Sequence, residues 1–209
     1  MQVIPSPAVQ VVGPSFTLRY ANAADAPTLF ELGSDADVTR FFSWGPYRSL
    51  SEPARYIAGL QAERERGERL DFLIERHGTG LVGVTGLSEW SARDRRAVVG
   101  TWLGRAHWGT GANAESKALI AHLGFDVLGL ERLGAYADVE NVRSQVALER
   151  LGFKREGVLR RWHRHGERVR DVVLFSWLAC EWERSPLRAT KVEVLGTPPP
   201  RFSRVAAPS

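Results

Sequence analysis

The chain has 209 residues, 44% of them hydrophobic and 25% charged, with a net charge of +4; this is a globular balance, long enough to bury a sizeable core. Cys180 is the only cysteine, which excludes an intrachain disulfide and suits a reducing interior. No stretch approaches the length of a membrane span and the N-terminus carries no signal-like apolar core, so a soluble cytoplasmic protein without a membrane partner is expected.

Residues 1–15 hold three prolines and no helical period, and read as an extended lead-in. Alternation over Phe16–Arg19 predicts a strand, and Asp25-Ala26-Pro27 predicts a capped helix through Leu29, Phe30 and Leu32. Ser51-Glu52-Pro53 starts a second helix. Leu70–Glu75 and Gly80–Leu87 read as a hairpin turning at His77-Gly78-Thr79-Gly80. A strand over Ala97–Leu103 leads into the glycine-containing segment His107–Asn113, after which Leu119, Ile120, Leu123, Val127 and Leu128 recur at helical spacing.

Arg132–Val139 reads as a strand, and Val142–Leu151 as a helix with Asn141 at its N-cap and Gly152 just past its end. Two last strands, Phe153 to about Trp162 and Val169–Leu178, turn near Gly166, and Cys180 falls at the end of an apolar run, where a buried inert thiol is expected. The proline-rich stretch 185–209 reads as a loosely ordered tail, which leaves one domain over 16–184. The alternating order of strands and helices implies an α/β (α+β) protein, a mixed sheet flanked by helices.

Lysine occurs only at 117, 154 and 191, so the basic charge is mostly arginine, concentrated at Arg150, Arg155, Arg160, Arg161, Arg164, Arg168 and Arg170. That cluster is either a solvated strand face or a patch that meets an anionic substrate or cofactor phosphate. It lacks an aromatic ladder, so nucleic acid is not expected as a partner. His163 and His165 share a strand face without a third ligand in view, so no metal is expected.

The segment Trp108-Gly109-Thr110-Gly111-Ala112-Asn113 lies between a strand and a helix. Glycines let backbone approach a ligand, and the first helical turn offers free N–H groups and a positive dipole end, so the segment is either an anion cradle or a plain structural turn capped by Asn113. It contains neither the nucleotide P-loop pattern nor the dinucleotide fingerprint.

This stretch resembles motif A of the GNAT N-acetyltransferases, Gln/Arg-x-x-Gly-x-Gly/Ala, with Trp108, Gly111 and Asn113 at its three anchors. A second block, Asn141-Val142-Arg143-Ser144 through Gly152-Phe153 and Glu156-Gly157, is similar to the run of the RimJ/RimL ribosomal-protein N-terminal acetyltransferase branch. Asp171–Phe175 matches that branch's last strand, and the resemblance spans residues 16–182.

The resemblance implies a mixed, mostly antiparallel sheet of about seven strands, with a V-shaped splay between the parallel strands Ala97–Leu103 and Arg132–Val139. It implies acetyl-CoA or CoA as cofactor, held by Trp102, Leu103, Trp108, Gly109, Thr110, Gly111, Ala112, Asn113, Asn141 and Ser144. The partner it implies is an amine acceptor, a protein N-terminus or a small molecule, and a homodimer stays open.

Direct transfer needs a base, an oxyanion donor and a thiolate acid. The family's usual Glu and Tyr positions fall on Val98 and Leu148, both apolar. Ser144 is then the thiolate donor that the branch suggests, and Glu89 or His163 a base; the alternatives are an unremarkable helix residue, a strand-end carboxylate and a surface histidine. Trp44 and Tyr47 either line the acceptor pocket or fill core. Expected activities are therefore N-acetyl transfer to a primary amine, transfer of a larger acyl group, or non-catalytic CoA binding in a regulatory module.

Overall fold

A computed structural model of the chain describes residues 8–202. The chain opens with β1 (Gln10–Val12) and β2 (Phe16–Arg19), then α1 (Ala26–Gly33), α2 (Ala36–Thr39) and α3 (Ser51–Arg66). Next come β3 (Arg69–Arg76), β4 (Gly80–Ser91), β5 (Arg96–Leu103) and α4 (Ala112–Ala121). The remainder is β6 (Arg132–Asp138), α5 (Val142–Arg150), β7 (Lys154–His165), β8 (Arg168–Leu178), α6 (Ala179–Trp182) and β9 (Glu193–Leu195). All nine strands form one sheet, in the order β7-β8-β6-β5-β4-β3-β2-β1-β9.

Local chemistry explains most of these boundaries. Asn141 accepts the Ser144 N–H at 3.2 Å and so starts α5. Gly152, at φ +103, turns the chain out of that helix. Asp25 stands at the N-cap of α1 as expected but makes no side-chain cap bond: Asn22 caps a 3-10 turn ahead of α1, and the Asp25 carboxylate pairs with Arg19 at 2.8 Å. Ser51 is the first residue of α3, whose entry is tied instead by Glu52 accepting the Arg48 N–H at 2.8 Å. The helical period past Ala121 continues as a π turn over His122–Val127.

Cross-strand register gives the sheet two chemically distinct faces. On one, Leu70, Phe72 and Ile74 of β3 join Leu119 and Ile120 of α4, Leu148 of α5, and Phe175 and Trp177 of β8 in the main core. On the other, Leu29 of α1, Leu73 and Val84 form a smaller cluster against Tyr56 and Ile57 of α3. Buried side chains on both faces make β3 a nearly continuous apolar run with one interruption, Asp71.

One pair of strands breaks the antiparallel pattern. β5 and β6 run parallel and pair at only three positions, Arg96 with Arg132, Ala97 with Leu133 and Val98 with Gly134. Beyond Val98 they part, although each goes on pairing with its outer neighbour, β4 through Leu103 and β8 through Asp138. The splay expected between these strands is therefore present.

Three expectations need correction. The sheet has nine strands rather than about seven, because short β1 and β9 pair with each other at its edge. The boundaries at 16 and 184 accordingly cut off structure: the lead-in contains β1, and the proline-rich stretch contains β9 and Phe202, which is fully buried beside Trp90. Residues 1–7 and 203–209 of those two segments lie outside the described ones. Cys180 is exposed rather than buried, because it sits on the outer side of the short α6. Of the arginine cluster, β7 presents Arg155, Arg160, Arg161 and Arg164 to solvent, whereas Arg170 turns inward to Asp138 at 2.8 Å.

Phe202→Ala should destabilise the whole domain by about 3–5 kcal/mol, as for other buried aromatic truncations. Urea unfolding checks this, and a midpoint unchanged from wild type would mean the stretch after α6 is peripheral.

Candidate active site

The parting of β5 and β6 opens a cavity of about 610 Å³ that passes through the sheet. On the α4–α5 side its walls include Asn113, Lys117, Asn141, Ser144 and Leu148. On the α3 side they include Trp44, Tyr47, Tyr56, Asp71, Glu89 and His163. The two strands that part supply the waist, with Val98, Gly100 and Trp102 facing Tyr136 and Asp138.

At the α4 end, Gly109 and Gly111 adopt φ of +74 and +86, a region that L side chains rarely enter. Gly111 is the N-cap of α4, while Asn113, read from sequence as a cap, is its second residue. A helix start leaves its first N–H groups without intrahelical acceptors, so those of Ala112 and Asn113 are available to an anion. Thr110 closes the turn by donating its hydroxyl to the His107 carbonyl at 2.9 Å.

Trp108 acts differently from a motif-A glutamine or arginine. Its indole N–H donates to the Leu103 carbonyl at 2.9 Å, and the Arg143 guanidinium lies over its ring, 3.4 Å from the centroid. A cation thus stands beside the glycine turn after all, supplied from α5. Leu103 and Trp108 to Ala112 fall outside the cavity walls, whereas Trp102, Asn113, Asn141 and Ser144 lie in them.

Lys117 is a residue that the motifs did not single out. It is buried, and its ammonium donates to the Thr101 hydroxyl, which in turn shares a 2.7 Å hydrogen bond with Thr85. Burial without an opposing carboxylate pulls its pKa down to about 7. One signal for it was available: it is one of three lysines, set in the otherwise apolar run Ala118-Leu119-Ile120-Ala121. Arg143 has no comparable local signal, since its stacking partner is distant in sequence.

On the opposite side, Trp44 packs at 5.1 Å from Tyr47 and 5.2 Å from Trp102, so the loop aromatics both line the cavity and pack on one another. Glu89, at φ +49 in an irregular stretch of β4, is exposed and accepts the Tyr136 hydroxyl at 3.0 Å. Burial first, and then Glu89, push the Tyr136 phenol up to about 12. His163 is half-buried, edge-on to Tyr136 at 5.6 Å. Val98 and Leu148 line the cavity as apolar wall, so neither of the family's usual catalytic positions carries a titratable group. Among the described residues, no three His, Cys, Asp or Glu side chains gather to hold a metal ion.

The sequence profile of the acetyltransferase (GNAT) domain matches residues 15–154. The chain belongs to the GNAT acetyltransferase family. The uncharacterized N-acetyltransferase p20 of Bacillus licheniformis is 31% identical over 167 residues, covering 79% of this chain and 94% of that protein. A GCN5-related N-acetyltransferase from Brucella melitensis superposes with a TM-score of 0.76 at 25% identity, covering 87% of this chain and 85% of that one. The microcin C7 self-immunity acetyltransferase MccE, solved with acetyl-CoA and AMP, shares the fold at a TM-score of 0.72 and 21% identity over 79% of this chain and 93% of its own.

This GNAT protein is thus an acyl-CoA-dependent N-acetyltransferase, and coenzyme A is the cofactor of its fold. Its residues fit that cofactor: the open α4 N-terminus and Arg143 suit phosphates, and beyond Val98 the fork leaves β5 and β6 without each other as strand partners, backbone that pantetheine amides can meet.

The depressed pKa of Lys117 fixes how stability depends on pH. Between about 7 and 10.5 the unfolded chain binds a proton at Lys117 that the folded chain does not, so the folded state gains stability as pH rises through that window. Lys117→Met removes this contribution, up to about 1.4 kcal/mol per pH unit. Urea unfolding should therefore show the variant gaining on wild type at pH 7 and losing that gain toward pH 10.

Proposed function

We propose that this enzyme moves an acetyl group from acetyl-CoA directly to a primary amine that enters the cavity from the α3 side. The observation that carries the reading is the cavity through the sheet at the β5–β6 fork, which gives donor and acceptor separate approaches to one waist. No covalent enzyme intermediate is invoked, because the sole thiol, Cys180, is exposed on α6 and is not part of the cavity wall.

In this reading Gly109, Thr110, Gly111, Ala112 and Asn113 hold the pyrophosphate, with Arg143 adding charge, while Asn141 and Trp102 border the pantetheine arm. The nitrogen lone pair attacks the thioester carbonyl, the C–S bond breaks, and Ser144, on the first turn of α5 in the cavity wall, gives its hydroxyl proton to the departing thiolate and regains one from the nitrogen. Trp44 and Tyr47 border the acceptor, and a protein N-terminal α-amine is the acceptor to try first. Glu89, exposed at the cavity mouth, draws in an ammonium group, with His163 on the facing wall.

The apolar Val98 and Leu148 favour one competing reading, a module that binds CoA without transferring from it. Release of free thiol from acetyl-CoA, followed with N-terminal peptides, polyamines, amino acids and aminoglycosides, separates the two. Turnover above background with at least one acceptor is expected; calorimetric CoA binding with none would establish the module instead.

Two substitutions probe the parts. Gly111→Ala forces an L residue into the left-handed region, at a cost of about 1–2 kcal/mol, and calorimetry should record CoA affinity about tenfold weaker. Ser144→Ala should lower kcat about tenfold or more while leaving the CoA dissociation constant within twofold of wild type.

A further inference from the structure

The acceptor side of the cavity contains a deep carboxylate on β3, and the sheet is shaped to expose it. Asp71 interrupts the apolar strand β3, is only 7% exposed, and nevertheless lines the cavity. Directly across from it on β4 is Gly86, and across from Gly86 on β5 is Gly100. A Cβ on Gly86 would come within 2.1 Å of Asp71 Oδ1, whereas one on Gly100 would meet nothing within 4 Å. Gly86 therefore makes room for the carboxylate, and Gly100 leaves the next strand bare.

The row Asp71–Gly86–Gly100 is thus a trough across three strands. It ends two residues past Val98, the last β5 residue paired with β6, where the waist of the cavity begins. Asp71 Oδ2 accepts the Tyr56 hydroxyl at 2.6 Å and lies 3.2 Å from Arg69 Nε, which anchors the group and turns Oδ1 over Gly86 toward the trough.

Resting on the amine-acetylation reading above, we infer that Asp71 is the catalytic base: it receives the acceptor ammonium in the trough and takes its proton. The R–NH3+ group gives one proton to the Asp71 carboxylate, leaving the neutral amine. Its lone pair forms the C–N bond at the thioester carbonyl, and the C–S electron pair leaves with sulfur. The second nitrogen proton ends on that sulfur as CoA–SH, and Asp71 returns its own proton to water, so the sum is amide, thiol and one released proton.

The other acids are placed less well for this task. Glu89 is exposed and engaged by Tyr136. Asp138 is committed to Arg170 and to the Glu140 N–H. The groups facing Asp71 are Tyr56, Glu63 and Arg64 from α3 and Arg69 from β3, with Glu89 of β4 farther along the wall. Burial outweighs the nearby arginines and raises the Asp71 pKa above the usual carboxylate range, which makes it a stronger base than a solvated acid.

The test uses the full chain, acetyl-CoA and whichever amine the wild type turns over fastest. The wild type should show kcat rising with pH to a plateau, because only ionised Asp71 accepts a proton. Asp71→Asn should lose that plateau, its residual rate still climbing with hydroxide across the whole range, and its kcat at pH 7 should fall about 10²-fold or more. CoA affinity should stay within twofold, and Asp71→Glu should recover part of kcat together with the plateau. Gly86→Ala, which displaces Oδ1, should lower kcat without changing CoA affinity.

A wild-type break from limb to plateau retained in Asp71→Asn would overturn the inference, whatever the loss of rate, since a purely structural role predicts that result. A wild type that binds CoA and acetylates no amine would remove the parent reading, and this one with it.

Discussion

β5 and β6 pair over three residues and then separate, while each stays bonded to its outer neighbour. A sheet interior normally satisfies every backbone N–H and C=O along its length, so a gap of this kind is costly unless something else meets those groups. The strands therefore require both a frame that holds them apart and a ligand that fits between them. The frame is the main core, where α4 and α5 pack beneath the two halves of the sheet. The gap positions the start of α4, the first turn of α5 and the aromatic α2–α3 loop around one waist.

Several polar groups keep the fork's rim in place. Asp138, at the last residue of β6, pairs with Arg170 and accepts the Glu140 N–H. Gln145 of α5 donates to the carbonyls of Asp138 and Val139 at 3.0 and 2.9 Å. Together they fix the chain's exit from β6 and hence where Asn141 and Ser144 sit. The Arg143–Trp108 stack ties the same helix to the glycine turn across the opening. Both ends of the cofactor's expected path are thereby linked through a single short helix.

Features encoded by neighbouring residues were legible in the sequence. The Asn141 cap, the Gly152 exit, the β3–β4 hairpin and the strand–glycine–helix passage at 97–121 all depend on contacts within a few residues. Features that depend on distant partners were not. β1 and β9 are three residues each; β1 gains its place by pairing with β2, and β9 by pairing with β1. The tail read as loose because its prolines are local, while the burial of Phe202 is tertiary. Likewise Trp108 departs from the motif's Gln/Arg anchor, and the charge there comes from Arg143 of α5, distant in sequence but stacked on its ring. Asp71 was visible as a lone acid in an apolar strand, but its significance comes from Gly86 and Gly100 on two other strands.

The arginines of β7 gain a meaning from where that strand lies. Among the described residues β7 is the last strand on its side of the sheet, so one row of its backbone groups has no strand to bond with there. Such a row is a template on which another chain's strand can assemble. Arg155, Arg160, Arg161 and Arg164 crowd that border with like charge, and two register irregularities, the second including Arg161 at φ +55, spoil its flatness. A second copy trying to extend the sheet there would meet repulsion and a bent ladder at once. The arginine cluster that raised the question of an anionic ligand thus also guards the open edge of the sheet.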